Sequence, residues 1–160
     1  MADPSTALPS LQATVLTARC HNPFLRQKQL KCLHDVLRKN SSELKDALKQ
    51  DSRISDTDAT TEVALALTVI KDHYAAIDPD KASKDEYRIA NGQNAAEARE
   101  PWGVVYVEPG QRHTPFFSTV VALSAAIAAG NCVALKVNRS PSTSAGLNDW
   151  KVERNTNNHS

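Results

Sequence analysis

The sequence has almost no net charge. Its 19 Lys and Arg stand against 18 Asp and Glu, leaving +1 over 160 residues. With the signs mixed, there is no field to steer nucleic acid or an acidic membrane to the surface. Cysteine is scarce as well: three, widely spaced and with no Cys-x-x-Cys, which excludes a disulfide framework. Reduced thiols in a cytoplasmic protein are the simpler reading. The opening residues, Met1 to Pro9, lack the basic start and apolar centre of a secretory signal. One charge-poor run, Thr114 to Leu135, is about long enough to span a bilayer. Gly130-Asn131 interrupts it, and the residues beyond read as a strand, so a membrane span is not expected.

What is present is concentrated between Pro101 and Lys136. Val104 to Val107 form a β-branched and aromatic run bounded by Gly103 and Pro109-Gly110, the signal of a buried strand. Pro115 suits the first turn of a helix, where its missing N–H costs nothing. Phe116 to Ala129 are apolar or small on nearly every side, which predicts a buried helix. Gly130-Asn131 ends it, and Cys132 to Leu135 form a second strand. Strand, helix and strand with short joints make a βαβ unit at 103–136, with parallel strands and a right-handed crossover. Ligands of open parallel sheets gather where strands end and helices begin. That rim is Glu108 to Thr114 and Lys136 to Ser140.

The rest of the chain reads mainly as helices over 11–78. Residues 1–10 are expected to be a flexible tail, and Leu11 to Cys20 a short helix with Leu11, Val15 and Ala18 on one side. Asn22-Pro23 caps and opens the next, in which Leu30, Leu33 and Leu37 recur at helical spacing. Arg26, Lys28, Lys31, Arg38 and Lys39 form its wet face rather than a phosphate patch. Asn40-Ser-Ser-Glu43 has the capping-box pattern and starts a helix running to about Gln50. Thr57 or Asp58 caps a longer one, with Val63, Ala66, Leu67, Ile70, Tyr74 and Ile77 on one face, stopped by Asp78-Pro79. Asn91-Gly92 lies between Tyr87–Ala90 and Ala95–Arg99, which predicts a hairpin arm at 85–100. Its Ala-rich, charged flanks are weak strand formers. Residues 145–160 are polar throughout and are expected to be a disordered tail.

Two stretches resemble the N-terminal part of the aldehyde dehydrogenase superfamily. The first is Arg26-x-x-Gln29-Leu30-x-x-Leu33-x-x-x-Leu37-x-x-Asn40-x-x-Glu43-Leu44-x-x-Ala47-Leu48-x-x-Asp51. The second is Glu100-Pro-Trp-Gly-Val-Val, continued by Ala125-Ala-Ile-Ala-Ala-Gly-Asn-Cys-Val-Ala-Leu-Lys136. The resemblance covers roughly Leu11 to Ser144. It implies an α/β fold, with N-terminal helices, a hairpin arm and one βαβ unit of an incomplete Rossmann-like domain over 11–144. It implies NAD- or NADP-dependent oxidation of an aldehyde to an acid through a thiohemiacetal on a cysteine. It also implies that Lys136 contacts the adenosine ribose of the cofactor. A lysine is a flexible point donor suited to that work, though a surface lysine ending a strand looks the same.

The departures from the family pattern bear on activity. Where the family has an asparagine that helps hold the oxyanion, this chain has Gln111-Arg112-His113, with His113 at the matching position. An exposed loop histidine is the plainer reading of it. Where the family places a ribose-binding glutamate, the chain has Val137-Asn138-Arg139. Arginine accepts no hydrogen bond but could meet a phosphate, which would favour NADP. The family's nucleophilic cysteine and general-base glutamate have no counterpart in these residues. Cys20 and Cys32 lie on predicted helices, and Cys132 opens the second strand at the end away from the rim. None has an evident base or helix N-terminus to lower its pKa, so no catalytic residue is assigned. Three readings follow: a truncated relative inactive alone, an active NAD(P)-dependent enzyme, or an interaction module. The module would pair with itself or a full-length aldehyde dehydrogenase through the hairpin arm or an open sheet edge.

Overall fold

The computed structural model describes residues 4–96, 98, 100–108 and 114–136. The tail expected at 145–160 lies outside them, as do Gln111, Arg112, His113 and Val137 to Arg139.

The first helix, α1, runs Pro4–Leu16, so the expected tail is shorter and the helix begins earlier than its apolar spacing suggests. It does not reach Cys20. Ala18 adopts a left-handed backbone with φ 52°, and a 3-10 turn at Arg19–His21 follows. Asn22 then caps α2 (Pro23–Lys39): its Oδ1 accepts from the N–H groups of Phe24 and Leu25, and Pro23 fills the first turn. Leu30, Leu33 and Leu37 are buried along one face, as their spacing predicts. Cys32, beside that stripe, is exposed. Arg26 is not on the wet face. It turns inward and donates from Nη1 to the carbonyl of Ala128 at 2.8 Å, and burial lowers its pKa.

Helix α3 (Ser41–Ser52) buries Leu44 and Leu48, but the capping-box bond is not made: Asn40 gives no side-chain cap. Helix α4 (Asp56–Ala75) is capped by Ser55 rather than Thr57 or Asp58. The Ser55 hydroxyl accepts from the Asp58 N–H and donates to its carboxylate. Val63, Ala66 and Ile70 are buried with Ile77 beyond the helix end, while Tyr74 is exposed.

Among the described residues, the hairpin arm expected at 85–100 is not formed. Asp78 Oδ1 accepts from the N–H groups of Asp80 and Lys81, Pro79 takes the first turn, and α5 runs Pro79–Ala90. The Ala and charged residues that make poor strands are good helix formers. Asn91-Gly92 ends this helix instead of turning a hairpin. Gly92, at φ +69°, donates to the carbonyl of Ile89, and Gln93 donates to that of Arg88. These are the paired bonds of a glycine-terminated helix.

The βαβ unit is present as read: β1 (Val104–Val107), α6 (Pro115–Ala128) and β2 (Cys132–Leu135). The strands pair in parallel, Val104 beside Cys132 through Val107 beside Leu135. Gly130, at φ +82°, closes α6 with the same pair of bonds: its N–H goes to Ile127, and that of Asn131 to Ala126. Helices α1 and α6 each pack against both strands, and α6 packs against α2 and α4. The largest apolar cluster joins α2, α3, α4 and α6 through Leu30, Leu44, Val63, Ile70, Val120, Leu123 and Ile127. Among the described residues, no helix is long and apolar enough to cross a membrane.

Candidate nucleotide-binding rim

Parallel register puts the two strands' C-terminal ends side by side, and with them the residues that follow. The N–H of Lys136 continues the ladder to the carbonyl of Val107 at 3.0 Å. Its ammonium donates to Glu108 Oε1 at 2.5 Å, and Tyr106 Oη donates to Glu108 Oε2 at 3.5 Å. Both members of the ion pair are about half exposed, at 47% and 48%. The hydrogen bond to Lys136, then its charge, hold the Glu108 carboxyl below the usual carboxylate range. The same bond and the Glu108 charge hold the Lys136 ammonium above its ordinary value. The pair is therefore ionised through neutral pH and presents a donor and an acceptor together.

Lys136 thus stands at the C-terminal end of β2, on the rim where its position in the sequence predicts it. Glu108, its partner, was legible in principle, since two strands of equal length are each followed by one charged residue. His113 and Arg139 lie outside the described residues.

The cysteines are elsewhere. Cys132 pairs with Val104 at the opposite end of the strand from Lys136. It is buried, and its thiol is pushed up to about 12 by burial and by Cys20, whose Sγ lies 3.3 Å away. Such a thiol is not ionised at neutral pH and is a poor nucleophile. A serine–histidine pair also occurs: His73 Nδ1 lies 2.9 Å from Ser124 Oγ. Ser124 is fully buried and its hydroxyl donates to the carbonyl of Val120 at 2.7 Å, so the pair ties α4 to α6 and reaches no substrate. No cluster of described residues could hold a metal ion. A shallow concavity along α5, lined by Asp78, Lys84, Tyr87 and Arg88, includes no residue of β1, β2 or α6.

A family model described as "Aldehyde dehydrogenase family" matches residues 7–149. Among curated proteins, aldehyde dehydrogenase family 3 member B1 of Mus musculus is 32% identical over 135 residues, covering 81% of this chain and 28% of the relative. The Rattus norvegicus protein of the same name is 33% identical over 138 residues, with the same coverage. The chain therefore spans little more than a quarter of the length of these relatives. No solved structure matches it.

Proposed function

The chain belongs to the aldehyde dehydrogenase family, and from that premise we propose that these residues supply one wall of an NAD or NADP site rather than the groups that react with aldehyde. The observation that carries the reading is the Lys136–Glu108 pair on the rim. A ribose carries adjacent hydroxyls that both donate and accept. The ammonium of Lys136 donates to one, and the Glu108 carboxylate accepts from the next. Both side chains are half exposed, so they meet the nucleotide without a rearrangement of the strands. When bound, the nicotinamide would accept a hydride in the family's oxidation of an aldehyde to an acid.

The covalent part of that reaction needs a thiolate and a base beside the rim. Cys132 is buried at the wrong strand end, Cys20 adjoins it, and Cys32 sits on α2. By this reading, the 160 residues alone hold nucleotide without turning over aldehyde. Thermal melting with NAD and with NADP tests binding, because a ligand that prefers the folded chain raises its midpoint. One nucleotide at least is expected to do so, and Lys136→Ala to abolish the rise while melting near the parent without nucleotide. No rise with either nucleotide rejects the binding role. Reduced-nicotinamide absorbance in the presence of aldehydes tests the second half. Turnover that survives replacement of all three cysteines would overturn it.

A second reading rests on the sheet. Among the described residues it has two strands, and Tyr106 on β1 and Trp102 just before it are 60% and 97% exposed. Unpaired strand edges recruit further strands. Pairing with a second copy or with a full-length family member would use these edges, since α5 takes the first part of the expected hairpin arm, to Ala90, as helix. Light scattering after size exclusion separates this from a monomer.

A further inference from the structure

Cys20 and Cys132 are 112 positions apart in sequence, yet their sulfurs lie 3.3 Å apart. The contact sits in a corner where the N-terminal helices meet the βαβ unit. There, Arg26 donates to the carbonyl of Ala128 at 2.8 Å, the carbonyl of Cys20 lies against Gly130, and Asn131 Oδ1 accepts from the Gly103 N–H at 3.0 Å. The two thiols are held by separately anchored backbones, one in the 3-10 turn and one at the first residue of β2. Cys132 is buried while Cys20 is partly exposed, so Cys20 is the more accessible residue of the pair.

We propose that Cys20 and Cys132 form a reversible disulfide that clamps the corner between α1 and α2 onto the start of β2. The oxidant is a low-molecular-weight disulfide of the glutathione class. The Cys20 thiolate attacks one sulfur of glutathione disulfide. That S–S bond breaks, a bond from Cys20 to glutathione forms, and one glutathione thiolate leaves. Cys132 then gives up its proton and attacks the Cys20 sulfur, expelling the second glutathione. Two protein thiols are oxidised, one glutathione disulfide is reduced to two glutathiones, and the two protons pass to the departing thiolates. The second step is the slower, because burial holds Cys132 protonated. Its rate rises roughly tenfold per pH unit below that thiol's pKa. Closing a loop of this length restricts the unfolded chain far more than the folded one.

The three cysteines fall on separate tryptic peptides, because cleavage sites at Arg19, Arg26, Lys31, Arg38, Arg112 and Lys136 separate them. The full chain is equilibrated with oxidised and reduced glutathione, alkylated, and digested without reduction. The expected result is a peptide joining Cys20 to Cys132, lost on adding dithiothreitol and absent in Cys20→Ser. The oxidised chain should melt roughly 10 °C higher than the reduced chain. Cys20→Ser is the control because its site is partly exposed, whereas replacing buried Cys132 risks the fold. A glutathione adduct that stays on Cys20 without cross-linking would overturn the proposal. So would a cross-link through Cys32, or a cross-link that leaves the melting midpoint unchanged.

Discussion

Glu62 Oε1, on α4, accepts a hydrogen bond from the backbone N–H of Phe117 in the first turn of α6, at 3.0 Å. The first turn of a helix leaves its N–H groups without intrahelical partners. Thr114, which precedes α6, has φ +42° and supplies no side-chain cap. A carboxylate from another helix does that work, 55 positions away and only 4% exposed. The same contact gives the start of α6 a negative neighbour, and an anion there would face an occupied helix end. The charged pair of the rim is accordingly at the strand ends, on Lys136 and Glu108, and not at this helix terminus.

Removing that cap should be costly. Glu62→Ala leaves a half-buried N–H without its acceptor and is expected to lower stability by about 2 kcal/mol, the range for hydrogen bonds to charged groups. Glu62→Gln keeps an acceptor oxygen and should lose less than half of that. Urea unfolding of the three chains measures both. Equal losses for the two variants would mean that charge at the helix end, not the hydrogen bond, is what matters.

Leu30 is wholly buried where α2 meets α4, and Leu16, at the end of α1, is 88% exposed. Leu30→Ala is expected to cost about 3 kcal/mol through lost transfer energy and the cavity left behind. Leu16→Ala should change stability by less than about 0.5 kcal/mol. The contrast tests whether the α2–α4 contact, rather than the end of α1, belongs to the cooperative core. Similar effects at the two positions would place the cooperative core elsewhere.

The sequence showed the βαβ unit well and the region before it unevenly. Valine-rich runs and a helix with hardly a polar side admit few alternatives, so Val104–Leu135 was legible to within a residue or two. The leucine stripes of α2 and α3 were legible for the same reason. Asn91-Gly92 was misread because one dipeptide serves two ends. A positive φ, which Gly92 adopts here, suits a hairpin turn and a helix terminus alike. The flanking Ala and charged residues favour the helix. At the rim, Lys136 was found through its family match and its place after a strand. Contacts made by tertiary packing left no local trace: Glu62 to Phe117, Cys20 to Cys132, and Arg26 to Ala128 each join residues more than 50 positions apart.

The Lys136–Glu108 pair makes a pH prediction whose sign follows from the two shifts. Glu108 is held below its ordinary value, so its contribution is present above the usual carboxylate range and fades as pH falls through its folded pKa. Lys136 is held above its ordinary value, so its contribution is present below the usual lysine range and fades as pH rises through its folded pKa. The melting difference between the parent and Glu108→Gln should therefore be flat through neutral pH and vanish at both extremes. Both groups are solvent-exposed, so the difference should be small and shrink in high salt. A difference that grows towards acid would assign the stabilisation to another group.

Two glycines end helices with the same bonds and should respond differently to a methyl group. Gly92, at φ +69°, has nothing within 4 Å of where a Cβ would stand. Gly92→Ala carries only the cost of a left-handed backbone, about 1 kcal/mol. Gly130, at φ +82°, would place its Cβ 2.9 Å from Pro101 Cγ and 3.0 Å from the Cys20 carbonyl oxygen. One of these neighbours is main chain, and both belong to the corner that seats β2. Gly130→Ala should therefore cost clearly more than Gly92→Ala, about 3 kcal/mol, by adding overpacking to the backbone term. It should also pull the Cys20 and Cys132 sulfurs apart, because the carbonyl of Cys20 must retreat to admit the methyl. Slower cross-linking in Gly130→Ala, with parent-like cross-linking in Gly92→Ala, would join the stability and redox behaviour of that corner. Equal losses of stability in the two variants would show that the close approach of Cys20 and Pro101 to Gly130 relaxes at no cost.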